Sequence, residues 1–223
     1  MGLVLLVRHG QASFGTDDYD VLSETGWVQG ARLGSWVSER EATPSLLVRG
    51  GMRRHRETLE AMAQAAGWDL AGSVVDPDWD EFDHLSVIAG YDGPSEPDAG
   101  HDRRAFQRLF ERATERWTAG EGTHEETYAG FTDRVLGALG RASDAAGPGR
   151  TAVVVTSGGA IAVVCAALAD PEADPAGRAR LWQRFNTVVV NTSITRVVVG
   201  STGSRLLTFN EHPHLDADTL TYR

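Results

Sequence analysis

Short apolar runs rich in branched residues alternate along this chain with longer segments of helical periodicity. The runs predicted as strands cover residues 3–7, 45–48, 74–75 and 151–155. Parallel strands need crossover connections, which are usually helical, and strands buried on both faces appear in sequence as continuous apolar runs. The alternation therefore predicts an α/β fold, a three-layer α/β/α sandwich around a mostly parallel central sheet.

Helices are predicted between these strands from their capping signals as well as their periodicity. Ser23 is the predicted N-cap of the first helix, and Gly67 is predicted to end a second helix that covers residues 53–66. Further helical segments are predicted at residues 105–117, at residues 128–145 and directly after Ser157-Gly158-Gly159. The pattern near the end of the chain predicts a β-hairpin with its turn at residues 200–203.

The length of 223 residues suits one domain with a substantial core. Residues 89–103 are dense in Gly, Pro and Asp, which is typical of a loop. We predict a single domain over residues 1–223 that carries a cap-like helical and loop insertion at about residues 82–127.

The composition of the chain restricts its possible binding partners and its location in the cell. The net charge of −10 argues against a nucleic-acid surface, although a local arginine pocket can still bind a small anion. The one cysteine, Cys165, excludes an internal disulfide and suits a reducing compartment. No stretch approaches the apolar length of a membrane span, and the first apolar run lacks the basic region of a signal peptide, so we expect a cytoplasmic location.

The first predicted strand leads directly into Arg8-His9-Gly10. Alone, this tripeptide is equally compatible with an exposed turn, but open α/β sheets bind ligands where strands end. Other polar motifs follow along the chain. They are LSETG with QG and LG from residue 22 to 34, MRRHRET, Glu81 after the third strand, and TSGGAI after the fourth.

This order of motifs resembles the histidine phosphatase superfamily, also called the phosphoglycerate-mutase-like fold. The resemblance covers essentially the whole chain and is most specific at VRHGQA and LSETG. It implies that His9 is a nucleophile that takes the phosphoryl group as a phosphohistidine. It also implies that Arg8 and Arg54 clamp the phosphate oxygens, and that Glu81 donates a proton to the leaving group.

The chemistry of these residue types agrees with the implied roles. A neutral imidazole is nucleophilic near neutral pH and leaves readily once phosphorylated. Guanidinium groups match the charge on a phosphoryl group in transfer, and Gly10 allows close approach of the backbone. Apolar neighbours such as Trp79 and Phe82 could raise the pKa of Glu81 enough for it to act as an acid.

Other interpretations stay open for several of these residues. The arginines of MRRHRET could all be solvated, and Arg54 is preferred because it precedes Thr58 by four residues, as in the family pattern. The acidic run that contains Glu81 could be ordinary surface. His55, His101 and His124 lie in polar surroundings, and we expect them to be surface histidines.

One departure from the family pattern affects the proposed chemistry. The family usually has Ser-His-Gly after the fourth strand, whereas this chain has Thr156-Ser157-Gly158, so a serine replaces the second histidine that binds the phosphoryl oxygens. We predict that Ser157 and Gly158 still bind phosphate. Three other histidines are candidates to replace the second histidine: first His214, because FNEHPHL resembles a C-terminal stretch of the family that ends in His-Leu, and then His84 and His212. No zinc spacing is evident, so neither metal nor cofactor is expected.

The leading interpretation is a metal-independent phosphomonoesterase that acts on a small phosphorylated metabolite through a phosphohistidine. A phosphate-binding pseudoenzyme is the alternative, because Ser157 could weaken turnover. A phosphoglycerate-type mutase is less favoured, since residues 10–26 contain neither the Asn nor the Trp of the mutases' substrate segment. The sequence does not indicate an oligomeric state.

Overall fold

The computed structural model describes residues 1–13, 20–41, 43–96 and 102–222. The strands there are β1 (Gly2–Arg8), β2 (Leu46–Arg49), β3 (Val74–Val75), β4 (Thr151–Thr156), β5 (Ile194–Gly200) and β6 (Gly203–Glu211). The helices are α1 (Glu24–Arg40), α2 (Arg53–Ala66), α3 (His84–Ala89), α4 (Arg103–Thr118), α5 (Tyr128–Ala145), α6 (Gly158–Ala169) and α7 (Pro175–Asn186), with a 3₁₀ turn at Pro77–Trp79.

The strands form one sheet in the order β3-β2-β4-β1-β5-β6. Strand β1 pairs in parallel with β4, and β2 pairs in parallel with β4 and β3. Strand β5 pairs antiparallel with β1 and with β6, which makes the predicted hairpin. The prediction of a mostly parallel sheet is therefore confirmed.

Helices cover both faces of the sheet. Successive side chains of a strand point to opposite sides, so an entirely apolar strand needs packing partners on both faces. Leu5 and Val7 of β1 pack in an apolar cluster with residues of α1 and α2. Val4 and Leu6 pack in a larger cluster with residues of α4, α5, α6 and α7. The three-layer α/β/α sandwich is thus confirmed.

Local signals placed most element boundaries correctly. The hydroxyl of Ser23 accepts a hydrogen bond of 3.1 Å from the backbone N of Gly26, so Ser23 is the N-cap of α1. Gly67 ends α2 with a left-handed φ of 70°, a conformation that glycine adopts without a steric penalty. Cys165 is fully buried in α6, and burial raises the pKa of its thiol to about 12.

Two helices were not predicted. Helix α3 is short, and α7 has a charged sequence that buries only Ala179 and Trp182, so its apolar periodicity is weak. The segment of residues 82–127 contains α3 and α4, and its Val87 and Trp117 belong to the larger core cluster. In the part of the chain that the structure describes, no helix has the length and apolar character needed to cross a bilayer.

Candidate active site

The register between β1 and β4 places the two central motifs side by side. Arg8 lies opposite Thr156 in the parallel ladder, and the backbone N of His9 donates a hydrogen bond of 2.9 Å to the carbonyl oxygen of Thr156. The next residues in each chain segment are His9 and Ser157, and both are buried. The carboxyl ends of the two innermost strands therefore present these residues at one edge of the sheet.

The orientation of the His9 ring is set by its own loop. Nδ1 lies 2.7 Å from the carbonyl oxygen of Gly10, which can only accept, so Nδ1 carries the hydrogen and Nε2 keeps a lone pair. Burial, together with the positive charges of Arg54 and Arg8 and the proximity of His55, holds the pKa of His9 well below its usual range. His9 is thus a neutral imidazole whose Nε2 keeps its lone pair.

The loop that contains Asn191 and Thr192 supports the backbone of this turn. No sequence motif indicated its role. Asn191 Nδ2 donates to the carbonyl oxygen of His9 at 3.1 Å, and the backbone N of Thr192 donates to that of Arg8 at 3.0 Å. Thr192 has a φ of 58°, which is strained for a β-branched residue. Backbone strain of this kind leaves no pattern in the sequence, which is why these residues were missed.

Two guanidinium groups lie beside His9. Arg8 donates through Nη1 to the carbonyl oxygens of Val189 and, at 2.8 Å, of Tyr222. Arg54 pairs through Nη1 with Asp20 Oδ1 at 2.8 Å, and its side chain is only 10% exposed. Arg54 is therefore buried and not a solvated helix position.

Glu81 is held at the N-terminus of α6, where its Oε2 accepts a hydrogen bond of 3.0 Å from the backbone N of Gly159. Burial raises the pKa of Glu81, and this effect exceeds the opposing influence of the Gly159 amide, Arg54 and Arg8. The neighbouring Trp79 and Phe82 are buried, as expected. The carboxyl group can therefore keep its proton at a pH where a free glutamate would be ionised.

Gly158 belongs to the same cluster. A Cβ placed on Gly158 would lie 3.6 Å from Arg8 Nε, so this glycine packs beside the Arg8 side chain. The structure thus brings together Arg8, His9, Gly10, Arg54, Glu81, Ser157 and Gly158, which were the main sequence-predicted candidates.

The expectation that His55 is a surface histidine is wrong. His55 is fully buried, its Nε2 lies 2.7 Å from Ser157 Oγ, and its ring centre lies 5.8 Å from that of His9. On its other side, His55 Nδ1 lies 3.6 Å from Asp80 Oδ1. The polar residues next to His55 in the sequence favoured an exposed position. His55 is buried because the first turn of α2 lies within the site.

His214, the first candidate to replace a second histidine, lies elsewhere. Its Nε2 is 3.1 Å from Thr192 Oγ1 and its ring centre is 6.4 Å from that of Trp36 in α1. Burial, with smaller contributions from His212 and Arg32, lowers the pKa of His214 to about 4. These contacts place His214 against α1 and do not bring it to the cluster, so the structure gives no support for His214 as a phosphate ligand.

The remaining histidines differ in their distance from the cluster. His84 begins α3, its ring centre lies 6.3 Å from that of Phe110, and burial lowers its pKa. His212 Nδ1 bonds with the carbonyl oxygen of Asn210 at 2.6 Å. His124 is half-buried, and the prediction for His101 lies outside the described residues. Within the described ranges, no group of three or more His, Cys, Asp or Glu side chains is arranged to hold a metal ion.

The comparison with solved structures gives the same fold over nearly the whole chain. YhfR of Bacillus stearothermophilus is 18% identical with a TM-score of 0.70, covering 96% of this chain and 99% of that chain. A mycobacterial glucosyl-3-phosphoglycerate phosphatase is 22% identical with a TM-score of 0.63, covering 94% and 99%. A phosphoglycerate mutase from Bacillus anthracis is 15% identical with a TM-score of 0.65, covering 96% and 94%.

No curated protein matches the sequence. The family model of the histidine phosphatase superfamily (branch 1) matches residues 4–212, a range that includes most of β1, all of β2 to β6 and the whole cluster around His9. With this match and a phosphoglycerate-mutase-like fold, the chain belongs to the histidine phosphatase superfamily.

Proposed function

We propose that this protein is a metal-independent phosphomonoesterase that acts on a small phosphorylated metabolite through a phosphohistidine at His9. The observation that carries the proposal is the state of His9. Its Nδ1 is held by the carbonyl oxygen of Gly10, and its pKa is lowered by burial, Arg54 and Arg8. Nε2 is therefore an unprotonated nucleophile in a site with two guanidinium groups, which can bind anions.

In the first step, His9 Nε2 attacks the phosphorus atom of the ester. The new N–P bond forms as the P–O bond to the leaving alcohol breaks, and the proton of the Glu81 carboxyl group passes to the leaving oxygen. Arg8 and Arg54 neutralise the charge on the phosphoryl oxygens. The products are the free alcohol, a phosphohistidine and a Glu81 carboxylate.

In the second step, water attacks the phosphorus atom of the phosphohistidine. The Glu81 carboxylate takes a proton from the water as the O–P bond forms and the N–P bond breaks. Inorganic phosphate leaves, and both His9 and Glu81 return to their starting protonation states. The raised pKa of Glu81 suits the first step, because the carboxyl group keeps its proton at a pH where a free glutamate would have lost it.

Ser157 is proposed to stand where the family has its second histidine. Two observations support this position: Ser157 follows β4 as His9 follows the neighbouring β1, and it is the N-cap residue of α6. Its hydroxyl would donate one neutral hydrogen bond to a phosphoryl oxygen. The lack of a charge at residue 157 is the reason for the alternative in which the site binds phosphate with little turnover.

The first experiment measures hydrolysis of p-nitrophenyl phosphate with and without EDTA, in the wild type and in His9→Ala. We expect turnover that survives chelation and is abolished in His9→Ala, together with an acid-labile phosphohistidine that mass spectrometry locates at residue 9. Turnover in His9→Ala would refute the nucleophile assignment. Binding of inorganic phosphate without hydrolysis of any ester would favour the pseudoenzyme.

A further inference from the structure

A chain of three polar side chains leads away from the phosphoryl site. Ser157 Oγ lies 2.7 Å from His55 Nε2, and His55 Nδ1 lies 3.6 Å from Asp80 Oδ1. Ser157 and His55 are both fully buried. A buried imidazole between a hydroxyl group and a carboxylate is expensive to desolvate, so its position needs an explanation beyond packing.

The absence of a side chain at Gly50 leaves room for His55 and Asp80 to lie next to each other. A Cβ placed on Gly50 would lie 2.3 Å from His55 Nδ1 and 2.5 Å from Asp80 Oδ1, so any other residue at this position would displace both groups. Asp80 Oδ1 is fixed by the backbone N of Gly51 at 2.5 Å and of Met52 at 3.3 Å. Asp80 is thus held in place while it faces the imidazole.

The charges around His55 come from several elements. Burial, together with the charge of Arg54, lowers the pKa of His55 by more than Asp80 and Asp20 raise it, so the pKa of His55 lies below its usual range. His9 faces it from the end of β1. Burial acts against the ionisation of Asp80, but the proximity of His55 and the two backbone amides outweigh it and hold the pKa of Asp80 below its usual range. A phosphate dianion beside Ser157 would add negative charge and favour the protonated imidazole of His55.

We propose that His55, whose Nδ1 faces Asp80, is a positioning residue that acts on the phosphoryl group through Ser157. Helix α2 thereby supplies the imidazole that the family's second histidine supplies from the position of Ser157. This inference rests on the proposed phosphatase function.

The hydrogen-bond directions give the proposal its physical basis. Ser157 Oγ has one hydrogen, and it can donate that hydrogen to a phosphoryl oxygen only if Oγ accepts from His55 Nε2–H. A protonated His55 satisfies this requirement and points Nδ1–H at Asp80. The positive charge then lies one hydroxyl group away from the oxygens on which negative charge develops, where fixed donors contribute most to phosphoryl transfer.

The test compares His55→Gln with the wild type and with Arg56→Ala. Glutamine can keep a hydrogen bond to Ser157 but carries no charge, and Arg56 lies on the exposed side of the same helix turn, 3.5 Å from Glu60. We expect His55→Gln to lower kcat for p-nitrophenyl phosphate by about 10²–10³-fold with a smaller change in KM. Inhibition by orthovanadate should weaken more than inhibition by inorganic phosphate, while Arg56→Ala keeps the wild-type values.

A second comparison separates a charge effect from a structural one. Asp80→Asn should lower kcat in the wild type but not in the His55→Gln background, because Asp80 acts through His55. The double variant His55→Ala/Ser157→His moves the imidazole to residue 157. Its kcat should be at least tenfold higher than that of His55→Ala alone. If the double variant does not fold, the His55→Gln result decides.

A kcat in His55→Gln within threefold of the wild-type value would overturn the inference and leave the proposed function intact. The same holds for a loss of kcat that is matched by a loss of thermal stability and is not reversed by moving the imidazole. If the wild type itself hydrolyses no phosphate ester and forms no phosphohistidine, the proposed function fails first, and this inference fails with it.

Discussion

The backbone N–H of Gly10 donates a hydrogen bond of 2.9 Å to Oγ1 of Thr58. The same hydroxyl group donates its own hydrogen to the carbonyl oxygen of Arg54 at 2.7 Å. One side chain of α2 therefore ties the turn after β1 to the helix that carries Arg54. This contact fixes the distance between the His9 loop and the second guanidinium group.

Thr58→Val removes this hydroxyl group without changing the size of the side chain. The buried N–H of Gly10 then loses its acceptor, so we expect the free energy of unfolding to fall by ~1–3 kcal/mol. We also expect kcat/KM to fall, because the His9 turn is less well fixed. Chemical denaturation and steady-state kinetics measure the two effects.

Thr114→Val is the matched control for that change. Thr114 is buried in α4, and its hydroxyl group has no hydrogen-bond partner among the described residues. Its replacement should leave the free energy of unfolding unchanged or slightly higher. Equal losses in the two variants would contradict the role given to Thr58.

Arg54→Ala tests the guanidinium group that lies on α2. Because a phosphate-binding arginine serves both the bound ester and the transition state, we expect KM to rise and kcat to fall, with a combined loss in kcat/KM of about 10²–10³-fold. Arg56→Ala should stay close to the wild type, since that side chain is exposed. Unchanged kinetics in Arg54→Ala would remove Arg54 from the site.

Glu81→Gln tests the proton donor through the leaving group. An alkyl phosphate releases a strongly basic alkoxide and needs a proton, whereas p-nitrophenolate leaves without one. We therefore expect kcat for an alkyl phosphate to fall at least tenfold more than kcat for p-nitrophenyl phosphate. Equal losses with both esters would show that Glu81 does not protonate the leaving group.

The dependence of kcat/KM on pH follows from the two shifted pKa values. His9 must be neutral, and because burial and the arginines lower its pKa, activity should persist as the pH falls below 6.5, the usual value for histidine. Glu81 must be protonated in the first step, and because burial raises its pKa above the usual 4.5, activity toward an alkyl phosphate should decline only as the pH rises through that raised value. With the same alkyl phosphate, the profile of Glu81→Gln should be lower than that of the wild type and should lack the decline on the alkaline side.

Much of the fold was predictable because its signals are local. Three of these signals set the conformation of only the few residues around them: the apolar run that leads into Arg8, the N-cap at Ser23 and the helix end at Gly67. The offset of Arg54 from Thr58 likewise places the two residues on neighbouring turns of a single helix. Such features depend on backbone conformation and periodicity, which the order of residues sets directly.

The sequence by itself determined the strands and most of the helices, and the predicted strands place Arg8-His9-Gly10 and Ser157-Gly158 directly after β1 and β4. The tertiary structure alone decided which histidine stands beside His9. His55 and His214 both have mostly polar neighbours in the sequence. The packing of α2 buries His55 against Ser157, whereas the C-terminal segment places His214 against Trp36 of α1. Burial of a single polar side chain depends on how whole elements pack, and no local pattern records that packing.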